Sequence, residues 1–235
     1  MEIKLSEKPK NPIIIEGFPG FGLVGTITTE FLVEHLGAKL IGTIEVDDVP
    51  AMVAIHDQKV VHPIGIFYDK KSNIVVLHVI TSVTGVEWQI AKKLVEFALD
   101  VDAKEIISIE GVGSMNMQSQ SCYYYSNDLK AQTKLKSIKL EPLKEGIILG
   151  VTGALLANIE KIKLSCIFAE THSSMPDSIA AAKVIEVLDK YLDLKLDPKP
   201  LLEQAKKFEE KIKGIMEKSQ DAQEEQVKNK LRYVG

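Results

Sequence analysis

Glu170, Thr171 and His172, followed by Ser173, Ser174 and Asp177, form the densest run of reactive side-chain types in the chain. His172 with Asp177 and a serine, Ser114, Ser173 or Ser174, contains the residue types of a nucleophilic triad: general base, orienting acid and nucleophile. No G-x-S-x-G elbow is present to hold a serine strained and exposed, so hydrolysis is supported by residue types alone. The second candidate is the run Gly17-Phe18-Pro19-Gly20-Phe21-Gly22-Leu23-Val24-Gly25. Gly20, Gly22 and Gly25 have the G-x-G-x-x-G spacing that brings a backbone close to a pyrophosphate at a helix N-terminus. Glu45, Asp47 and Asp48 lie about twenty residues past most of that loop, roughly where a ribose-binding acid would sit. Against phosphate, Pro19 removes a backbone donor, and Phe18 and Phe21 put large rings where an anion needs polar access. Such rings serve more naturally as interface anchors or as a lid over a sheet edge, and the same glycines also suit tight turns and close helix-to-strand packing.

Metal chemistry finds little support. His35, His56, His62, His78 and His172 include no H-E-x-x-H, and Glu170 with His172 is too small a set for a closed site. We expect no metal and no cofactor. His56, His62 and His78 fall in apolar strand-like runs, where a hydrogen-bonded structural imidazole is the simpler role. Tyr123, Tyr124 and Tyr125 have no basic surround, so they read as strand and interface residues rather than as a base-stacking platform.

Positioning these groups requires a large framework, and 235 residues at 45% hydrophobic suffice for one sizeable core. A net charge of −4 argues against nucleic acid or anionic lipid as partner. Two cysteines without C-x-x-C spacing point to a reduced, cytoplasmic setting. No run approaches the roughly 18 apolar residues of a membrane span, and the charged first residues do not read as a signal sequence.

Short Val/Ile-rich runs alternate with amphipathic segments. A strand over 13–16, a helix over 26–36 and a strand over 39–45 open the chain, followed by strands over 52–56, 60–67 and 74–80 that pair as hairpins. Thr84 is placed to cap a helix over 85–99, with Glu87 completing a capping box. A strand over 106–110 leads into a glycine loop, Gly111-Val112-Gly113-Ser114-Met115. Residues 147–150, a helical stretch over 153–161 and a strand over 164–169 continue the alternation. Asp177 or Ser178 can cap a helix over 177–191. The sheet expected from this pattern is mixed, and ligands in open α/β sheets bind beyond the carboxyl ends of strands.

Asp197-Pro198-Lys199-Pro200 marks a boundary between a core, residues 1–196, and a C-terminal helix with a tail, residues 197–235. In that helix Leu201, Ala205, Phe208, Ile212 and Ile215 recur at heptad spacing, which suits either packing on the core or meeting another chain.

The glycine run at 17–25, Gly111-Val112-Gly113-Ser114-Met115, Gly150-Val151-Thr152-Gly153-Ala154-Leu155-Leu156, Ala169-Glu170-Thr171-His172, then Pro176-Asp177 and Ala180-Ala181-Ala182, together resemble the proteasome assembly chaperone family of the archaeal type. Order and spacing match over about residues 10–195. The resemblance implies a three-layer α/β/α sandwich with a mixed sheet, akin to nucleoside phosphorylases but without an established phosphorylase activity, plus an extended C-terminal helical segment. It also implies homo-oligomers that bind proteasome α-subunits or another ring-forming protein without catalysis. Some members end in a hydrophobic-Tyr-any motif that inserts between α-subunits. Here Leu231-Arg232-Tyr233-Val234-Gly235 places its tyrosine third from the end, a degenerate version. Expected contact regions are therefore residues 231–235, the helix positions just named, and a loop cleft of Phe18, Pro19, Gly20, Phe21, Gly22, Gly113, Ser114, Glu170, Thr171, His172 and Asp177. The alternative is a nucleotide- or phosphoester-binding enzyme using the loops at 17–25 and 170–177.

Overall fold

A computed structural model of the chain describes residues 1–49, 51–56, 58–113, 121–158, 162–171, 175–196 and, further on, 203, 207, 210, 211, 213 and 214. Strands β1 (Glu2–Leu5), β2 (Ile13–Gly17) and β3 (Lys39–Glu45) enclose helix α1 (Val24–Leu36), and β4 (Ala54–His56), β5 (Lys59–Val61), β6 (Ile64–Asp69) and β7 (Ile74–Val79) follow. Then come α2 (Glu87–Asp100), β8 (Glu105–Gly113), β9 (Cys122–Ser126), α3 (Leu129–Ser137), β10 (Glu141–Pro142), α4 (Gly150–Asn158), β11 (Leu164–Thr171) and α5 (Ser178–Leu192).

Nine strands form one sheet in the order β1-β3-β6-β7-β2-β8-β11-β9-β10, and β4 with β5 make a separate hairpin. The centre is parallel: β2 lies between β7 and β8, and β11 runs along β8. The flanks are antiparallel where β1, β3, β6 and β7 pair in succession and where β9 meets β11. The mixed sheet read from the strand pattern is thus present. Ile13, Ile14 and Ile15 explain the central position of β2, because a strand covered on both faces needs apolar residues in succession rather than in alternation. Ile15 joins Ile27 and Phe31 of α1, Leu135 of α3 and Ile185 and Leu188 of α5 in the core on one face. Ile14 joins Ile90, Leu94 and Phe97 of α2 and Leu155 of α4 on the other, completing a three-layer sandwich.

Several elements differ from expectation. The strand expected over 60–67 breaks into β5 and β6 at Pro63, which has no N–H to donate to a ladder, while its carbonyl accepts from Ile80 at 3.0 Å. Helix α2 begins at Glu87, with Val86 as N-cap and no side-chain cap. Thr84 instead bonds Ser82 Oγ at 2.9 Å, while Glu87 Oε2 reaches back to the Gly85 N–H at 2.9 Å. The glycine loop expected over 111–115 is ladder as far as Gly113, because β8 extends along the full length of β11. The helix expected from Gly153 starts at Gly150, and β1, α3 and β10 carried too weak a pattern to be read from sequence.

Two buried polar networks tie the outer elements to the sheet. The Tyr191 hydroxyl of α5 donates to both Glu105 carboxyl oxygens, at 2.9 and 3.0 Å, and Ser165 also bonds Glu105. His78 Nε2 on β7 sits 2.8 Å from Glu30 of α1, and its Nδ1 lies 3.0 Å from Thr29 Oγ1. Burial alone would raise the Glu30 carboxyl, but His78 and Lys211 outweigh it and hold the group down to about 2. Lys211, from the C-terminal segment, ion-pairs with that carboxylate and lies 3.7 Å from Glu34. At that point the C-terminal segment is seated on α1. Leu201, Ala205, Phe208, Ile212 and Ile215 lie outside the described residues, as do Leu231, Arg232, Tyr233, Val234 and Gly235.

Candidate functional site

Strand order puts the site at the centre of the sheet. From β2 the chain passes through α1 toward β3 and returns by way of β7, and α2 then carries it across to β8 on the other side of β2. Beyond the carboxyl ends of β2 and β8 the connections diverge, which opens a crevice. A cleft of about 410 Å³ occupies it, lined by residues 18–21, 82–84 and 110–113, Glu87 and residues 147–151. A larger cavity of about 650 Å³ lies along the end of β3, with Val46, Asp47, Val49 and residues 51–53 also lining it. The smaller cleft is the one with a partly buried carboxyl at its floor.

That carboxyl belongs to Glu110. It projects from β8 on the face of Ile106 and Ser108, toward α4, where its Oε2 accepts from Thr152 Oγ1 at 3.1 Å. Thr152 Oγ1 is 2.8 Å from Ser108 Oγ. Because the Thr152 proton goes to Glu110, the Ser108 hydroxyl is the donor to Thr152 in this arrangement. Ser108 is in ladder register with Glu16 of β2 and Cys166 of β11. Glu16 is fully buried, and neither of its carboxyl oxygens has a hydrogen-bond partner among the described residues. Burial pushes Glu16 up to about 8, and the Glu110 charge adds to it. Burial also lifts Glu110 to about 7, against hydrogen bonds from Thr152 and the Gly111 N–H. The Cys166 thiol beside them is pushed well above its ordinary value by burial and by both carboxyls. Near neutral pH the pair therefore carries about one proton more than two ordinary glutamates would.

The glycine run has a packing explanation at each of its three spaced positions. Gly22 is left-handed at φ +64, and a Cβ there would lie 2.7 Å from Thr171 Oγ1. Gly25 lies so close to the sheet that its Cβ would be 2.8 Å from Gly17 Cα and from the Ile109 carbonyl oxygen. A Cβ on Gly20 would overlap the Glu110 carboxyl, so that glycine makes room for an acid. An anion at Gly20 would face this acid directly.

Of the other predicted residues, Phe18 is buried in the core on the α2/α4 face, and Phe21 is 48% exposed at the cleft mouth, beside Pro19 and Gly113. Glu170 is not in this cleft: its carboxyl accepts from the Ser121 N–H at 3.0 Å and the Tyr123 hydroxyl at 3.4 Å, fastening the start of β9 to β11. Asp177 is the N-cap of α5, with Oδ1 accepting from the Ala180 N–H at 2.9 Å, while its own N–H bonds the Gly22 carbonyl at 2.8 Å. This satisfies helix donors that otherwise lack partners. Asp177→Ala should cost about 1 kcal/mol in urea unfolding, and Asp177→Asn much less. Equal losses would remove capping as its role. Ser114 and His172, with Ser173 and Ser174, lie outside the described residues.

Glu16 and Glu110 were not singled out from sequence. A signal was available in the strand period: Glu16 shares a face with Ile14, and Glu110 with Ile106, so both acids sit in core-facing phase. Among the described residues no group of three or more His, Cys, Asp or Glu side chains could hold a metal ion. No described helix is long and apolar enough to cross a membrane.

The surrounding fold is shared. PbaA of Pyrococcus furiosus, described as an archaeal homolog of proteasome-assembly chaperone, is 30% identical, with 94% of this chain and 100% of that one covered at a TM-score of 0.82. PbaB of the same organism, described as an archaeal proteasome activator, shares the fold at 24% identity and a TM-score of 0.74, covering 92% of this chain and 98% of that one. An uncharacterized protein of Methanocaldococcus jannaschii is 28% identical over 221 residues, 92% of this chain and 91% of its own length. Residues 14–216 match the PAC2 family, a span that runs from β2 through α5 into the C-terminal segment and takes in the glycine-lined cleft, and the chain belongs to the PAC2 family.

Proposed function

We propose that this protein is a homo-oligomeric chaperone or adaptor, working in the cytoplasm without catalysis, that binds proteasome α-subunits or another ring-forming protein. The observation that carries this is the likeness to PbaA over 94% of the chain. The chemistry of the cleft agrees with it. The glycines are used up in packing, and the acid at the floor repels phosphate, which weighs against the nucleotide- or phosphoester-binding alternative. Exposed Phe21, Ile147 and Leu149 around the mouth offer the rigid apolar area that protein interfaces use.

Its test is co-purification of proteasome α-subunits with the tagged full chain, alongside native mass measurement. The expected result is a symmetric multimer that retains α-subunits, whereas a monomer that retains none would defeat the proposal. Removing residues 231–235 should weaken α-subunit capture about tenfold or more, because several weak tails on one oligomer act at high effective concentration. Capture unchanged by that deletion would take the tail out of the mechanism while leaving the oligomer in it.

A further inference from the structure

The cleft at the β2/β8 switch point has a chemical asymmetry that points to one kind of visitor. Among the described residues that line it are Glu87 and Glu110 but no lysine, arginine or histidine. Its walls and mouth are largely apolar: Phe18 and Val83 line it, Ile147 is 89% exposed and Leu149 74% exposed. Immediately behind the floor sits a second carboxyl, Glu16, without a hydrogen-bond partner among the described residues. A buried polar group left unsatisfied in a native fold calls for an explanation beyond packing.

We infer that this cleft is a socket for a basic side chain, lysine or arginine, flanked by apolar residues on a partner protein. That the occupant comes from a protein rests on the chaperone reading above; that it is a cation rests on the side chains of the cleft itself. The long stem of such a residue covers apolar wall, and its charged head ends on Glu110. A volume of about 410 Å³ admits one such side chain, and the exposed rim gives its apolar neighbours a surface to cover. Charge-assisted hydrogen bonding to Glu110 supplies the orientation, since a guanidinium or ammonium has only donors to offer and a carboxylate only acceptors. A cation there also draws the proton off the Glu110/Glu16 pair. Among the described residues, the groups near Glu110 on the packed elements are Glu16 on β2, Cys166 on β11 and Thr152 on α4, with Glu87 at the start of α2 lining the same cleft, and none of them is basic. Occupancy therefore strengthens as pH rises through the Glu110 transition at about 7.

The probe is acetyl-Leu-Arg-Leu-amide, with its citrulline counterpart as a neutral isostere, titrated into the ¹⁵N-labelled full-length protein. The expected result is saturable shifts at the amides of Gly20, Gly111, Gly113 and Leu149, with affinity up to about tenfold higher at pH 8 than at pH 6. The citrulline peptide should bind at least about tenfold more weakly, and Glu110→Gln should abolish both the preference for arginine and the pH dependence. Equal binding of the two peptides, shifts confined to other amides, or an unaltered Glu110→Gln titration would overturn the socket. The wild-type comparison of the two peptides decides the matter even if the variant folds poorly. Retained α-subunit capture without arginine-peptide binding leaves the chaperone proposal standing and removes the socket. Arginine-peptide binding without α-subunit capture does the reverse. Loss of self-association in Glu110→Gln, with no peptide binding to wild type, would give the cleft to a second copy of this chain and overturn the inference.

Discussion

Replacing Glu16 with glutamine should flatten the decline of stability with pH and make the variant the more stable protein in mild alkali. Glu16 titrates at about 8 in the fold, against about 4.5 when unfolded, because burial disfavours its charged form. Between those values the folded state holds a proton that the unfolded state has released, so stability falls as pH rises and has lost its full increment above about pH 8. One such group contributes a slope of about 1.4 kcal/mol per pH unit. Glutamine has the same shape and never ionises, so its profile should be shallower by about that slope between pH 5 and pH 8, apart from a constant offset. The lower value for Glu30 acts oppositely: its contribution is present above about pH 4.5 and is lost as pH falls toward 2. The acid limb should therefore be common to both proteins. Urea unfolding at a series of pH values measures the difference, and parallel profiles above pH 5 would mean that Glu16 is solvated and ionised in the fold.

The other large effect concerns Gly25. In an open helix, glycine to alanine stabilises by about 1 kcal/mol. Here Gly25→Ala should destabilise by about 2 kcal/mol or more, because the new Cβ would press on backbone atoms of β2 and β8 that cannot rotate away. For a chain of this size that is a fall in Tm of about 4–8 °C. Gly214→Ala is the matched control, since nothing among the described residues lies within 4 Å of a Cβ there. A Gly25 variant as stable as wild type would show that α1 can stand off the sheet, and would reopen the glycine run to a ligand.

Strand β3 is found over the residues expected of it, β2 and α1 begin or end within two residues of expectation, and the Asp177 cap was anticipated, because each depends on neighbours a few residues away. The break at Pro63 and the cap of α2 were missed for a related reason. Both depend on which backbone groups find partners across a hairpin or turn, and a one-dimensional pattern does not reveal that. Glu170 was expected in the loop cleft with His172, yet its partners are Tyr123 of β9 and Ser121 just before it, a neighbour that only the sheet order supplies.

By itself the sequence determined the alternation of strand and helix, the mixed character of the sheet, the order of glycine motifs that marks the family, and the lack of any basic or membrane-seeking composition. All of these follow from local periodicity, backbone propensity and net charge, which act over a few residues or over the whole chain at once. Only the tertiary structure decided that β2 lies between β7 and β8, that Gly17 and Gly25 touch, and that the charge of Glu110 bears on the buried Glu16. The physical reason is that the proton affinity of a carboxyl depends on its solvent exposure and on the charges packed around it. Those neighbours are brought together by strand order, across separations in the chain that no local pattern spans.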